Sequence, residues 1–218
     1  HPNSKNFKTP IIAKIEKPEG VKNIDEILAE CDALMVARGD LGVEVPMEEV
    51  PAIQKILVEK AKVHAKPVII ATQMMETMIT SLTPTRAEVN DVANSVLDGA
   101  DAVMLSGETS VGKYPVDVIK NVTKIIKSIE DTSFYKNNNK PIEHEFNCVD
   151  DRFITNRICM AAVRIAKSTS VQAIVTLTYS GYTAFQISSH RPNSHIIVYS
   201  SNKRVITMLN LVWGVRAY

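Results

Sequence analysis

Short apolar runs alternate along the chain with longer stretches in which apolar residues recur every three or four positions. Apolar runs of this length, bounded by charged or turn-forming residues, are typical of strands that are buried on both faces of a parallel sheet. The intervening stretches have the spacing of amphipathic helices. The pattern therefore predicts βα units in series, with strands at residues 11–16, 33–38, 67–72 and 101–105.

Helix signals between these strands support four such units. A short helix is predicted at residues 21–29, and longer helices are predicted after Pro46 and near Pro115. Because crossovers between such strands are right-handed, the strands should form a parallel sheet. This pattern is compatible with two folds, an open doubly wound sheet or one half of a (β/α)8 barrel.

The helix before the fourth strand carries signals at both ends. Thr83 is predicted as its N-cap and Pro84 as its first helical residue. Gly99 suits the left-handed conformation that closes many helices. By contrast, residues 38–42 contain two glycines and predict a turn after the second strand.

A polar stretch with Asn and Pro divides the chain into two predicted units. It predicts a barrel-type domain over residues 1–134, a linker over 135–152 and a smaller α/β domain over 153–218. The smaller domain should contain only two strands, which would make a thin sheet. Its predicted elements are a helix at 153–167, strands at 173–177 and 196–199, and helices at 184–189 and 204–211.

Composition excludes several classes of protein. The chain has 218 residues, of which 45% are hydrophobic. Its net charge is only +1, so its overall electrostatic field does not indicate a nucleic acid or membrane partner. No apolar stretch reaches the roughly 18 residues of a membrane span. The three cysteines, Cys31, Cys148 and Cys159, form no CxxC or Cys/His cluster, which argues against a disulfide framework or structural zinc. These features predict a cytoplasmic protein.

Charged residues end the first two predicted strands. Lys14 and Glu16 are two residues apart and therefore project from the same face, and Arg38 and Asp40 have the same spacing. Adjacent parallel strands would place Glu16 and Asp40 together, as two oxygen ligands of the kind that Mg²⁺ uses. Lys14 would then supply positive charge to a phosphoryl group or an enolate. The alternative is an ordinary Lys–Glu pair on the surface.

Hydroxyl and carboxylate groups follow the other predicted strands. Thr72 ends the third strand, and Ser106 and Glu108 end the fourth. A hydroxyl at this edge could relay a proton or bind a phosphate, although each residue alone is equally typical of a helix cap or turn. In the second unit, the loop at residues 176–183 joins a strand to a helix, and its hydroxyls and amides suit either a phosphate or an ordinary βα turn.

Several of these segments resemble the pyruvate kinase family. Residues 12–20, IAKIEKPEG, resemble its active-site signature, and the resemblance continues through the second unit. It implies that the four βα units are the second half of a (β/α)8 TIM barrel, followed by part of an α/β C-terminal domain with a parallel sheet. The further matching blocks, in order, are residues 35–42, 71–74, 84–88 and 105–109.

The resemblance also implies a reaction and a metal. The family transfers a phosphoryl group from phosphoenolpyruvate to ADP, giving pyruvate and ATP. Glu16 and Asp40 would bind Mg²⁺ or Mn²⁺, and Lys14 would stabilise charge on the phosphoryl group. The family's K⁺ ligands, its first four strands and its lid domain have no counterpart among these 218 residues. The resemblance therefore implies a fragment with half an active site, of an enzyme that is typically a homotetramer.

Further residues acquire roles from the resemblance. The segment Ala37, Arg38 and Gly39 would hold the substrate carboxylate through backbone amides. Thr72 would lie near the methylene carbon of the enolate, and Ser106 is a weaker candidate in the proton relay to that carbon.

The loop of the second unit corresponds to the site where the family binds the phosphate of a sugar-phosphate effector. Family members that bind it with basic side chains have Lys or Arg at the positions of Tyr179 and Tyr182. Two other functions remain open, a metal-dependent lyase of the phosphoenolpyruvate-using barrel type and a non-catalytic remnant. The candidate phosphate ligands are Thr178, Ser180, Gly181 and Thr183.

Overall fold

Two parallel β-sheets organise the residues that the computed structural model describes, which are 9–138, 151–169 and 171–218. The first sheet has four strands in the order β1-β2-β3-β4, and the second has three in the order β5-β6-β7. All six strands predicted from the apolar runs are present. The strands are β1 (Ile12–Ile15), β2 (Ala33–Ala37), β3 (Val68–Ala71), β4 (Ala102–Val103), β5 (Ala173–Leu177), β6 (His195–Tyr199) and β7 (Val215–Ala217).

Helices connect the strands as the amphipathic stretches predicted. The predicted short helix at 21–29 is instead two helices that meet at Asn23. No helix in the described part of the chain is long and apolar enough to cross a membrane. The helices are α1 (Pro18–Lys22), α2 (Ile24–Glu30), α3 (Arg38–Glu44), α4 (Val50–Val63), α5 (Arg86–Asp98), α6 (Gly107–Ser110), α7 (Pro115–Glu130), α8 (Ser133–Asn138), α9 (Phe153–Thr169), α10 (Tyr182–Ser189) and α11 (Lys203–Leu209), with 3₁₀ turns at Met47–Glu49 and Glu76–Ile79.

The strand register aligns the carboxyl ends of the first sheet. Ile15 pairs with Val36, and Ala37 pairs with Ala71, so β1, β2 and β3 end at one edge. The two middle strands are almost fully buried, as continuous apolar runs predict. The residues that follow these strands are therefore the first that can carry polar groups toward a ligand.

The start of α5 differs from the prediction. The N-cap is Thr85, not Thr83, because Glu88 lies three residues after Thr85 and completes a capping box with it. The Glu88 carboxylate also accepts hydrogen bonds from the amide and hydroxyl of Thr77, at 2.7 and 2.5 Å. Gly99 closes the helix with a φ of 98°, as predicted.

Two further predictions were wrong. Residues 38–42 are not a simple turn but the first residues of α3, which follows β2 directly. The second sheet has a third strand, β7, whose short Val-Arg-Ala sequence lacks the continuous apolar run that marks the other strands. The proposed domain boundaries stay predictions: α8 extends across the start of the proposed linker, and residues 139–150 lie outside the described residues.

A buried ion pair joins the two units. The Arg191 guanidinium lies 2.9 Å from the Asp101 carboxylate, with side-chain exposures of 2% and 4%. Asp101 also accepts hydrogen bonds from the amides of Val68 and Trp213, each at 3.0 Å. Arg191 donates a further bond of 2.6 Å to the carbonyl of Gly99. One carboxylate thus connects the start of β3 to the second unit.

Replacing Arg191 with Met should destabilise the chain strongly. The substitution leaves Asp101 buried without its cation, and breaking a buried ion pair in this way costs about 3–5 kcal/mol. Because the amides of Val68 and Trp213 remain bonded to Asp101, we expect the lower end of that range. Urea denaturation measures the change in unfolding free energy.

The matched control for this measurement is Lys60→Met, which breaks the pair between Lys60 and Asp25. Those side chains are 36% and 63% exposed, so the expected loss is about 1 kcal/mol or less. Similar small losses in both variants would contradict the importance given to the buried pair.

Candidate active site

Lys14 bridges two carboxylates at the carboxyl edge of the first sheet. Its Nζ lies 2.5 Å from an oxygen of Glu16 and 2.7 Å from an oxygen of Asp40. Glu16 follows β1 and Asp40 lies in the first turn of α3, just beyond β2. The structure therefore brings together the three charged residues that the strand ends suggested.

The electrostatics of this cluster follow from its hydrogen bonds. The bond that Lys14 donates to Asp40, together with its bond to Glu16, raises the pKa of the Lys14 ammonium above its ordinary value. The same bond from Lys14 lowers the pKa of Asp40. At neutral pH, Asp40 is therefore a carboxylate and Lys14 an ammonium. The side chains are 38–56% exposed, so solvent and ligands can reach them.

The donor set suits a hard divalent cation. Among the described residues no group of three or more His, Cys, Asp or Glu side chains could hold a metal ion. Mg²⁺ usually binds one or two protein carboxylates and takes its other ligands from water and substrate oxygens. Glu16 and Asp40 therefore fit as its protein ligands, because both already approach one positively charged atom.

The side chain of Arg38 points away from this cluster. Its two terminal nitrogens lie 2.5 and 2.7 Å from the two oxygens of Asp91, on α5, and one of them donates a 2.6 Å bond to the carbonyl of Thr72. The Arg38 side chain is only 11% exposed. Sequence reasoning missed Asp91 because no spacing or motif signal links it to the strand ends.

Thr72 occupies an unusual backbone conformation beside Asp40. Its φ is 71° and that of Gln73 is 54°, in the left-handed region that β-branched residues avoid. The Thr72 hydroxyl donates a 2.6 Å bond to the Ala71 carbonyl and accepts a 2.8 Å bond from the Gly39 amide. The hydroxyl of Thr72 is thereby fixed next to the residue that precedes Asp40.

Ser106 and Glu108 differ in their environments. Ser106 does not end the fourth strand as predicted: β4 stops at Val103, and Ser106 is an exposed residue just before α6 whose amide donates a 2.6 Å bond to Glu108. Glu108 is 3% exposed and also accepts a longer, 3.4 Å bond from the amide of Met75. Glu108 therefore ties the loop after β4 to the loop after β3, while Ser106 remains accessible.

The loop between β5 and α10 uses its hydroxyls on its own backbone. Thr178 accepts a 3.0 Å bond from the amide of Gly181, whose φ of 84° permits the turn into the helix. Ser180 accepts a longer bond from the amide of Tyr182, and the hydroxyls of Thr176 and Thr183 lie 3.2 Å apart. These contacts are those of an ordinary βα turn, and phosphate binding at this loop stays a prediction.

Both units match models of one protein family. Residues 2–119 match the barrel domain of pyruvate kinase, and residues 156–218 match its alpha/beta domain. The chain belongs to the pyruvate kinase family. The family resemblance and the α/β fold that the sequence predicted are thereby confirmed.

Individual pyruvate kinases show the same similarity. The chain is 49% identical to a pyruvate kinase of Geobacillus stearothermophilus over 205 residues, which cover 94% of the chain and 34% of that protein. It is 44% identical to one from Mycobacterium intracellulare over 211 residues, which cover 97% of the chain and 43% of that protein. The chain thus spans less than half the length of these relatives.

A crystal structure of a pyruvate kinase from Cryptosporidium parvum has the same fold. The TM-score is 0.88 with 40% sequence identity, and the match covers 99% of the chain and 43% of that protein. The half barrel and the α/β unit are therefore arranged as in a member of the family.

The ionic cluster can be tested by titration. In Lys14→Met, the largest cause of the lowered pKa of Asp40 is removed and the two carboxylates face each other, so that pKa should rise. A carboxyl group with a lowered pKa stabilises the fold above its unfolded pKa and loses this effect as pH falls through the folded value. NMR titration of the Asp40 carboxyl carbon measures the shift. An unchanged pKa in Lys14→Met, or an equal rise in a Lys60→Met control, would contradict the assigned contact.

Proposed function

We propose that this chain supplies the metal-binding part of a pyruvate kinase active site, which transfers a phosphoryl group from phosphoenolpyruvate to ADP and yields pyruvate and ATP. The observation that carries the proposal is the bridge from Lys14 to Glu16 and Asp40 at the carboxyl edge of a parallel sheet. In (β/α)8 enzymes the chemistry takes place at this edge. Membership of the pyruvate kinase family then favours phosphoryl transfer over the lyase alternative.

Glu16 and Asp40 would hold Mg²⁺ or Mn²⁺ together with oxygens of the substrate. When bound, the ion supplies positive charge beside the phosphoryl and enolate oxygens. Lys14 extends from the same strand end as Glu16, and its raised pKa keeps it charged through the neutral range. Its ammonium would neutralise charge on the phosphoryl group during transfer.

The neighbouring backbone and hydroxyls would act on the enolpyruvate part of the substrate. Because the Arg38 side chain is engaged by Asp91, only the backbone of Ala37, Arg38 and Gly39 remains for the substrate carboxylate. The Gly39 amide contacts the Thr72 hydroxyl, and a substrate oxygen would take the place of that hydroxyl on the amide. The Thr72 side chain, kept in position by its backbone, could then relay a proton from solvent to the methylene carbon, with exposed Ser106 as a weaker alternative.

The rest of the site would come from outside these 218 residues. The chain covers 34% and 43% of the two bacterial relatives, so the K⁺ ligands and the other half of the barrel are assigned to segments beyond this chain. A homotetrameric assembly and a cytoplasmic location are part of the same proposal.

A chimera tests the role of Lys14. The chain would replace the segment that it matches in the Geobacillus stearothermophilus relative. We expect the unmodified chimera to convert phosphoenolpyruvate and ADP, and Lys14→Met to lower this activity by at least about 10²-fold, because charge on the phosphoryl group is no longer stabilised. Binding of Mn²⁺ and protonation of enolpyruvate should be largely retained, because Glu16, Asp40 and Thr72 remain.

The control substitution in the chimera is Lys17→Met, which removes a lysine close to the cluster but outside it. Its activity should stay close to that of the unmodified chimera. Equal losses of phosphoryl transfer and enolpyruvate protonation in Lys14→Met would contradict the role of Lys14.

The isolated chain should not turn over. With phosphoenolpyruvate, ADP, Mg²⁺ and K⁺, we expect no pyruvate in an assay coupled to lactate dehydrogenase, because half a barrel lacks the remaining ligands. The complete Geobacillus stearothermophilus relative serves as the positive control. Measurable pyruvate formation that depends on Lys14 would overturn the claim that half a barrel is insufficient.

A further inference from the structure

The turn after β3, formed by Thr72 and Gln73, is held by a series of contacts that begins on α5. Asp91 binds both terminal nitrogens of Arg38, and Arg38 donates to the carbonyl of Thr72. We propose that Asp91, acting through Arg38, is a positioning residue that holds Thr72 in the conformation in which its hydroxyl meets the Gly39 amide. For the reaction, this inference rests on the proposed function, because it concerns the hydroxyl assigned there to proton transfer.

The turn needs such support because its conformation is unfavourable. Thr72 and Gln73 are consecutive non-glycine residues with positive φ, and Thr72 is also β-branched. Such conformations cost free energy and persist only where the surroundings impose them. They are concentrated at functional sites, where the strain serves to place a group.

Arg38 provides that support from beneath the turn. Its Nη2 lies 2.6 Å from the Thr72 carbonyl oxygen, and its Nε makes a weak 3.4 Å contact with the carbonyl of Ala71. A planar guanidinium can contact two consecutive carbonyls and a carboxylate at once, which a lysine ammonium cannot do with the same geometry. The carbonyl side of the turn is thus fixed by one cation.

Asp91 fixes the cation itself. Its two oxygens lie 2.5 and 2.7 Å from the two terminal nitrogens of Arg38, which is the bidentate arrangement that orients a guanidinium best. The other side-chain contacts of the guanidinium are longer, at 3.4 Å to Gln54 and 3.8 Å to the sulfur of Met74. Without the charge of Asp91, these contacts would not hold Arg38 in place.

The other side of the turn faces the catalytic cluster. A Cβ atom added at Gly39 would lie 3.2 Å from the Thr72 hydroxyl oxygen, so a larger residue at position 39 would crowd the Thr72 side chain. Gly39 is followed directly by Asp40. Loss of the contact from Asp91 to Arg38 should therefore displace the Thr72 side chain from this position while leaving the ion pairs of Lys14 intact.

Hydrogen exchange in the 218-residue chain tests the positioning directly. Asp91→Asn should raise the exchange rate of the Gly39 amide by about tenfold or more, because its acceptor is no longer held. The amides of Leu34 and Val36, in the core of β2, should keep their rates. Adding Gln73→Gly to Asp91→Asn should restore much of the protection of Gly39, because glycine adopts positive φ without strain.

A second variant and a control complete the exchange experiment. Arg38→Lys keeps the positive charge but loses the planar guanidinium that contacts both Asp91 and Thr72. It should therefore raise the exchange rate of the Gly39 amide in the same way. Asp25→Asn removes an exposed ion pair and should leave Gly39 exchange unchanged. Faster exchange at all amides, or no rescue by Gln73→Gly, would overturn the proposal and leave Asp91 as a residue of general stability.

Kinetics of the chimera connect the positioning to the reaction. Asp91→Asn should lower kcat about 10-fold to 10²-fold, the range expected for a displaced catalytic group, with little change in Mn²⁺ binding or in KM for phosphoenolpyruvate. Enolpyruvate protonation should fall in parallel, and Gln73→Gly should restore part of both. An inactive unmodified chimera would contradict the proposed function, while the exchange experiment would still decide the positioning. An active chimera that Asp91→Asn does not slow would overturn the catalytic part of the inference.

Discussion

The register of the first parallel sheet is the constraint on which the site depends. Paired residues Ile15 and Val36, and Ala37 and Ala71, bring three strands to their carboxyl ends at one edge. The middle strands are buried on both faces, so polar groups can appear only where a strand ends. Lys14 and Asp40 therefore meet at this edge, and the Thr72 hydroxyl lies beside them on the amide of Gly39.

Two identical spacings lead to opposite outcomes at this edge. Lys14 and Arg38 each stand two residues before a carboxylate, yet Lys14 binds those carboxylates and Arg38 turns inward to Asp91. The Lys14 side chain is half exposed, and both carboxylates lie within its reach beyond the ends of β1 and β2. β2 lies between two strands and contacts α4, and the Arg38 side chain that follows it is only 11% exposed and is paired with Asp91 of α5.

This contrast shows what the sequence could and could not predict. Strands and long helices followed from periodicity, and the convergence of Lys14, Glu16 and Asp40 followed from parallel pairing. The contact between Arg38 and Asp91 joins residues 53 positions apart, and it depends on which way a long side chain turns between packed elements. Strand β7 was missed for a local reason, since three residues with a central Arg carry too little apolar pattern.

The second unit contacts the first sheet at the edge opposite the candidate active site. Asp101 precedes β4 and binds the amide of Val68, the first residue of β3, while Thr72 follows the last residue of the same strand. The interface with Arg191 therefore does not cover the carboxyl edge, where Lys14, Glu16 and Asp40 lie. At about 3.3 Å per residue, the four residues of β3 place roughly 13 Å between the buried ion pair and the strained turn. Any influence of the second unit on Thr72 along this path must pass through β3, which is fully buried and hydrogen-bonded to a strand on each side. Because such a strand is closely packed, we expect it to shift as a rigid element and not to rearrange locally.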